Sequence, residues 1–182
     1  MLLTSNFWQS CHPQHDLVQV AVLLDQALYD ILQESNDLHG GGLSGFIAMI
    51  EAMPALFGKL NATSFDASTL FVPTNEALAI LDPTLLEEIQ GELNPTIQQL
   101  VWNHVVDGNF ARSCWSTTSI GSVISSTELM LKSQIGQELH LTMNGMDVII
   151  NGDARIIQED IFSEDGTIQI IDKVLVLTWL LA

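Results

Sequence analysis

The 182-residue chain predicts an α+β fold, helices first and a mostly antiparallel sheet afterwards, on three observations. Through the early part of the chain apolar residues recur at three- and four-residue steps, the period of a helix with one buried face. From Thr127 onward the period falls to two, with Leu139, Leu141 and Met143 alternating with Glu138, His140 and Thr142. Two Asn-Gly pairs, Asn144-Gly145 and Asn151-Gly152, suit two-residue hairpin turns and so predict a meander of at least three strands. Helices gathered ahead of strands argue against the regular alternation of a parallel sheet.

In chain order, residues 16–33 predict an amphipathic helix, with Leu17, Val20, Ala21, Leu24, Leu28 and Ile31 on one face. Residues 36–42, NDLHGGG, predict a flexible break, because three successive glycines can visit left-handed conformations and stop a helix. These segments form an N-terminal extension over 1–42, followed by a main domain over 43–182. A second helical face spans 46–53, is interrupted or restarted by Pro54, and continues through Leu56, Phe57 and Leu60. Residues 70–72 read as a short buried strand that Pro73 ends, and Thr74 caps the helix begun by Asn75, Glu76, Ala77 and Leu78. Asp82-Pro83 and Asn94-Pro95 each open a helix with a capping residue followed by proline at the first helical position. The second of these helices carries Ile97, Leu100, Val101 and His104 on its apolar face and is expected to stop at Asp107-Gly108. Asp165-Gly166 reads as a turn into a buried strand bearing Ile168, Ile170 and Ile171, and VLVLTWLLA, residues 174–182, as a last core strand with a sticky end.

Three of these stretches, TLFVPTNEAL at 69–78, NHVVDG at 103–108 and GTIQIIDKVLV at 166–176, occur together in one order and spacing. In that arrangement the chain resembles the fasciclin domain, whose pattern has a strand running into Ala-Pro-Thr-Asn-Glu-Ala-Phe, a helix ending in Tyr-His-Val-Val-x-Gly, and a closing Asn-Gly-x-Ile-x-x-Ile-Asp-x-Val-Leu. The resemblance covers roughly residues 46–177 and implies a β-wedge or sandwich with helices packed around it. Asn103 stands where the family usually has Tyr, Leu78 where it usually has Phe, and Leu177-Thr178 where the last strand often runs into Pro.

Composition narrows the function classes. Five Lys plus Arg against 22 Asp plus Glu give a formal charge of −17, which repels phosphate backbones and anionic lipid, so nucleic acid is set aside as a partner. No apolar run approaches the ~20 residues of a membrane span. The acidic residues lack the Asp-x-Asp-x-Asp-Gly loop of a calcium site and read as a solubility coat. Cys11 and Cys114 are too few for a disulfide scaffold, though one bridge tying the N-terminal segment to the domain is possible chemistry for them. Asn61-Ala62-Thr63 is an N-glycosylation sequon in the loop before the first strand. The start MLLTSNFWQSCHPQ has neither a basic n-region nor a long apolar h-region, so either a signal was removed or the protein stays inside the cell.

Catalytic patterns are absent: no Gly-x-Ser-x-Gly elbow, phosphate-binding glycine loop or His-Glu-x-x-His helix occurs. Cys11-His12-x-x-His15 lacks a fourth ligand, and the acid pairs Glu87-Glu88 and Glu159-Asp160 point in different directions as sequence neighbours. The sequence therefore calls for no catalytic residue, no metal and no cofactor. What the resemblance implies is a non-catalytic interaction module at the cell surface or in the matrix, binding a protein or glycan, by homotypic contacts among others. It also implies partner-binding roles for Asn103-His104, the counterpart of the family's Tyr-His, and for Asp160-Ile161, the counterpart of its Asp-Ile pair. Against that stand bland readings: His104 as a buried neutral imidazole on a carbonyl, and Asp160 as a turn residue beside a core Ile161. A different class is a soluble fasciclin-like protein that binds a small molecule or assists an oxidase, with Trp102, Phe110 and Trp115 lining an apolar pocket. An aromatic cavity opening near His104 would favour that class, and a flat acidic surface around Asp160 would favour adhesion.

Overall fold

A computed structural model of the chain describes residues 26–61, 67–81, 95–111, 128–163 and 165–178. Among these residues the helices are α1 (Leu28–Leu38), α2 (Ser44–Glu51), α3 (Pro54–Leu60), α4 (Asn75–Ala79) and α5 (Pro95–Asn103). Strand β1 (Ser68–Pro73) lies between α3 and α4, and β2 (Val105–Asp107), β3 (Glu128–Lys132), β4 (Glu138–Asn144), β5 (Asp147–Ile150), β6 (Ala154–Ser163) and β7 (Gly166–Ile171) follow α5.

The strands form one sheet in the order β2-β1-β7-β6-β5-β4-β3. Every neighbouring pair is antiparallel except β1 and β7, which run parallel from Ser68 opposite Gly166 to Pro73 opposite Ile171. A bridge between Val106 and Ser133 brings β2 to β3, so the two ends of the order meet and the sheet curls into a nearly closed wedge. That curl divides the core in two. Leu70, Val72, Ile168 and Ile170 face the helices and join Leu28, Leu32, Phe46, Ile50, Leu56 and Val101. Phe71 and Ile171 face the other way, into the wedge, where Leu131, Leu139, Leu141, Val148, Ile150 and Leu175 meet them. Strands buried on both faces carry near-continuous apolar runs, which is how LFV and IQII read.

The first strand-to-helix corner forms as its residues dictate. Pro73 ends β1, and the Thr74 hydroxyl accepts the Ala77 N–H as the cap of α4. Asn75 does more than begin that helix. Its Oδ1 accepts the Gly45 N–H at 2.8 Å, and its Nδ2 donates to the Gly41 carbonyl at 2.9 Å and to Ser44 Oγ at 3.0 Å. The corner is thereby stitched to the start of α2. In the β4–β5 hairpin Gly145 takes a positive φ of 66° between the closing pair Asn144 and Asp147, as a two-residue turn of this kind requires.

Several expectations need correction. The helix placed over 16–33 is seen from Leu28, after an extended Ala27, and runs five residues farther to Leu38; its earlier part lies outside the described residues. Its first N–H, that of Leu28, is accepted by the Asp165 carboxylate at 3.0 Å, a long-range cap that no local pattern reveals. NDLHGGG is not a loose break: Asn36, Asp37 and Leu38 are helical, Gly40 and Gly41 take positive φ, and Asn36 Oδ1 accepts the Leu43 N–H at 3.0 Å. α5 ends at Asn103 rather than at Asp107-Gly108, because Val105, Val106 and Asp107 pair with β1. The Asn151-Gly152 connection spans three residues, 151–153, between the paired Ile150 and Ala154. Residues 174–177 bury Val174, Leu175 and Leu177 without forming a strand. The helix expected at Asp82-Pro83, the Asn94 cap, and residues 179–182 lie outside the described residues. Gly166 is the first residue of β7, and a Cβ there would run into the Ser68 backbone carbonyl.

Two glycines should accordingly respond in opposite senses to the same substitution. Gly166→Ala should cost about 3 kcal/mol or more, since the obstacle is backbone that cannot swing aside. Gly58→Ala, in α3 with nothing near its added Cβ, should stabilise by about 0.5–1 kcal/mol. Urea midpoints of the two variants against the parent chain measure both; a neutral Gly166→Ala would contradict the close approach.

Candidate functional site

α5 delivers Asn103 and His104 to the point where the helix ends and β2 begins, and both are completely buried. The imidazole is fixed at both nitrogens. Its Nδ1 lies 2.7 Å from the Leu100 carbonyl, which can only accept, and its Nε2 lies 2.9 Å from the Leu175 N–H, which can only donate. These partners select the neutral tautomer with the proton on Nδ1. Asn103 Nδ2 donates to the Leu175 carbonyl at 2.9 Å, so adjacent side chains grip both backbone groups of one residue. The Phe46 ring covers the imidazole at a centroid distance of 5.1 Å. Complete burial pushes the His104 pKa from 6.5 down to about 4, against a smaller upward pull from the Leu100 carbonyl. Enclosed in this way, neither side chain can touch a partner, and the two position backbone instead.

Asp160 and Ile161 sit in a bulge of β6 rather than in a turn. Between the pairs Gln158–Ile170 and Ile161–Ile168 the register slips, and Asp160 takes a φ of +57°. The bulge is braced from the next strand. Gln169, buried in β7, accepts the Asp160 N–H on Oε1 at 3.0 Å and donates from Nε2 to Asp160 Oδ1 at 2.9 Å and to the Phe110 carbonyl at 3.2 Å. Phe110 is tied further by its N–H to the Thr69 hydroxyl at 2.9 Å, while Thr167 bonds Asn109. Asp160 and Ile161 are half-buried; beside them Gln158 is exposed and Ile157 is 46% exposed. No pattern search marked Gln169, yet one amide inside the run TIQII was the available signal, because a polar side chain in a buried strand needs partners.

The aromatic pocket does not assemble from the residues expected to line it. Trp102 packs on the helix-side cluster and Phe110 on the cluster inside the wedge, so the sheet lies between them. Trp115, Cys11 and Cys114 lie outside the described residues, as does the Cys11-His12-x-x-His15 stretch. An open cleft of about 720 Å³ occurs elsewhere, between residues 174–178 and the Glu138, His140, Asn151 and Asp153 rim, and no Phe, Tyr or Trp is among its described lining residues. Among the described residues no three His, Cys, Asp or Glu side chains group as metal ligands, and no helix is long and apolar enough to cross a membrane. Asn61 is exposed at the end of α3.

The enclosed imidazole fixes the direction of a pH effect. In the unfolded chain His104 binds a proton below about pH 6.5, whereas in the fold it does so only below about 4. Its contribution is therefore fully present above about 6.5 and is lost as pH falls from there toward 4, by about 3 kcal/mol in all. Chemical denaturation from about pH 7 to about pH 4 should show the parent chain losing that much more stability than His104→Gln, which cannot titrate. Equal losses in the two proteins would refute the assignment.

A sequence model of the fasciclin domain matches residues 41–177. Periostin of Homo sapiens is 29% identical over 108 residues, which is 59% of this chain and 12% of periostin, so the chain spans about an eighth of that relative's length. A solved structure of a FAS1 domain pair from the insect cell adhesion molecule fasciclin I superposes with a TM-score of 0.55 at 15% identity, over 74% of this chain and 47% of that one. At that identity the likeness speaks for the fold, which is the same helix-decorated wedge. With the strand-to-helix corner, the His104 clasp and the closing β7 all inside the matched span, the chain belongs to the fasciclin domain family.

Proposed function

We propose that this chain is a non-catalytic interaction module that works in cell-cell or cell-matrix adhesion outside the cell, with its contact surface centred on the β6 bulge at Asp160 and Ile161. The observation that carries this reading is the bulge itself. A non-glycine residue at positive φ inside a strand is strained, and here the strain is sustained by two hydrogen bonds between Asp160 and a single buried glutamine, which a third ties to the Phe110 carbonyl. Such irregularities re-aim side chains next to sites of contact, and this one sets a carboxylate beside two half-exposed isoleucines. Relatives include a structure described as that of a cell adhesion molecule, which supports the class of function. The partner is a protein or a glycan, and the net charge of −17 favours a basic surface on it. Asn103 and His104 contribute by holding the backbone at Leu175, not by contact.

Two measurements test this. Cells or matrix proteins should adhere to the immobilised chain, and Asp160→Ala together with Ile161→Ala should reduce adhesion about tenfold or more in a chain that still unfolds cooperatively, at a stability cost of about 1–3 kcal/mol for the lost partner of the Gln169 amide. Undiminished adhesion by the folded double variant would sink the bulge as the contact surface. Expressed through a secretory pathway, the chain should carry an N-glycan on exposed Asn61, seen as a mass shift that glycosidase treatment and Asn61→Gln both remove. An unmodified secreted chain would count against that assignment.

A further inference from the structure

Val174, Leu175 and Leu177 are buried, yet residues 174–178 belong to no ladder, and side chains from elsewhere in the fold supply hydrogen bonds that fix them. His104 Nε2 takes the Leu175 N–H and Asn103 gives to the Leu175 carbonyl. From the opposite side Gln137 donates from Nε2 to the Val176 carbonyl at 3.3 Å and accepts the Thr178 N–H on Oε1 at 3.1 Å, as a pairing strand would. Val174, Leu175 and Leu177 are inserted into the two core clusters, and the same strip forms one wall of the 720 Å³ cleft. Ile150 and Ala154 line the same cleft and belong to the same core cluster as Leu175.

We propose that this strip is an acid-released clasp: protonation of His104 detaches residues 174–178 from the two core clusters as a unit, while the sheet stays folded. One bond of the clasp requires a bare Nε2. A protonated imidazole would direct an N–H at the Leu175 N–H, whereas the bond from Nδ1 to Leu100 survives. Among the described residues the groups facing the ring are the Phe46 ring from α2, the Leu100 carbonyl from α5 and the Leu175 N–H from the strip, and no charged side chain among them offsets a positive charge. Relief comes most cheaply by moving the strip, since β1, β2 and α5 are held by ladder and helix bonds and the strip by side chains alone. At neutral pH the three buried aliphatic side chains keep it closed. Because an exposed His104 regains its ordinary affinity for protons, the open population should rise about tenfold per pH unit between about 6.5 and 4.

Amide hydrogen exchange on the full chain, read by NMR from about pH 7 to about pH 4 and corrected for intrinsic exchange, tests the clasp. The protection factor of the Leu175 amide should fall about tenfold per pH unit below 6.5 while lying well below those of Leu70 and Ile170, which report global unfolding, and His104→Gln should flatten the Leu175 dependence. Should His104→Gln not fold, Gln137→Ala serves: it should lower Leu175 protection at every pH and leave the slope unchanged. Equal protection factors at Leu175 and Ile170 would mean that the strip opens only by global unfolding and overturn the proposal, as would Leu175 protection that ignores pH.

Discussion

The parallel pairing of β1 with β7 is the contact on which the rest of the molecule depends. Both strands are buried throughout, and between them they present Leu70, Val72, Ile168 and Ile170 to the helices and Phe71 and Ile171 to the interior of the wedge. Neither core can form without that shared wall. The pairing starts where Gly166 passes the Ser68 carbonyl, an approach that only a residue without a Cβ permits. Asp165, one residue earlier, caps α1 and gives its carbonyl to the Ser68 N–H, so one corner fixes a strand, its neighbour and a helix.

Burial sets the chemistry of the polar residues attached to this wall. Thr167 and Gln169 are fully enclosed in β7, and each is matched by a partner on the segment that follows β2. An unmatched amide in such a place costs about 1–3 kcal/mol, so the arrangement of Asn109, Phe110 and Asp160 around them follows from the need to satisfy them. His104 obeys the same rule from the helix side. Its two bonds and its low proton affinity are consequences of a position that admits no water.

Local rules were legible in the sequence, and long-range ones were not. Thr74 as a cap, Pro54 and Pro95 at helix starts, and the alternation over 139–143 each depend on neighbours within a few residues, and each appears as expected. His104 was likewise legible as an imidazole on an apolar face bonded to a carbonyl. The failures share a cause. Val105 and Val106 continue the periodicity of a helix, but β1 offers their backbone a ladder, and tertiary pairing overrides the local pattern. Residues 174–177 look like a strand by composition, yet their own backbone groups at Leu175 and Val176 are taken up by the Asn103, His104 and Gln137 side chains. Asp160 reads as a capping or turn residue by its type alone, and only the register against β7 shows the bulge.

The order of the strands has a consequence for synthesis. β1 must wait for a partner that lies almost a hundred residues farther along the chain, and its other neighbour, β2, covers only Ser68, Thr69 and Leu70. A chain emerging from its N-terminal end therefore presents LFV unpaired until β7 has appeared, when nearly all of the described domain is out. During that interval the exposed edge is open to mispairing with other nascent chains, so a fold stable once closed is one whose closure comes late.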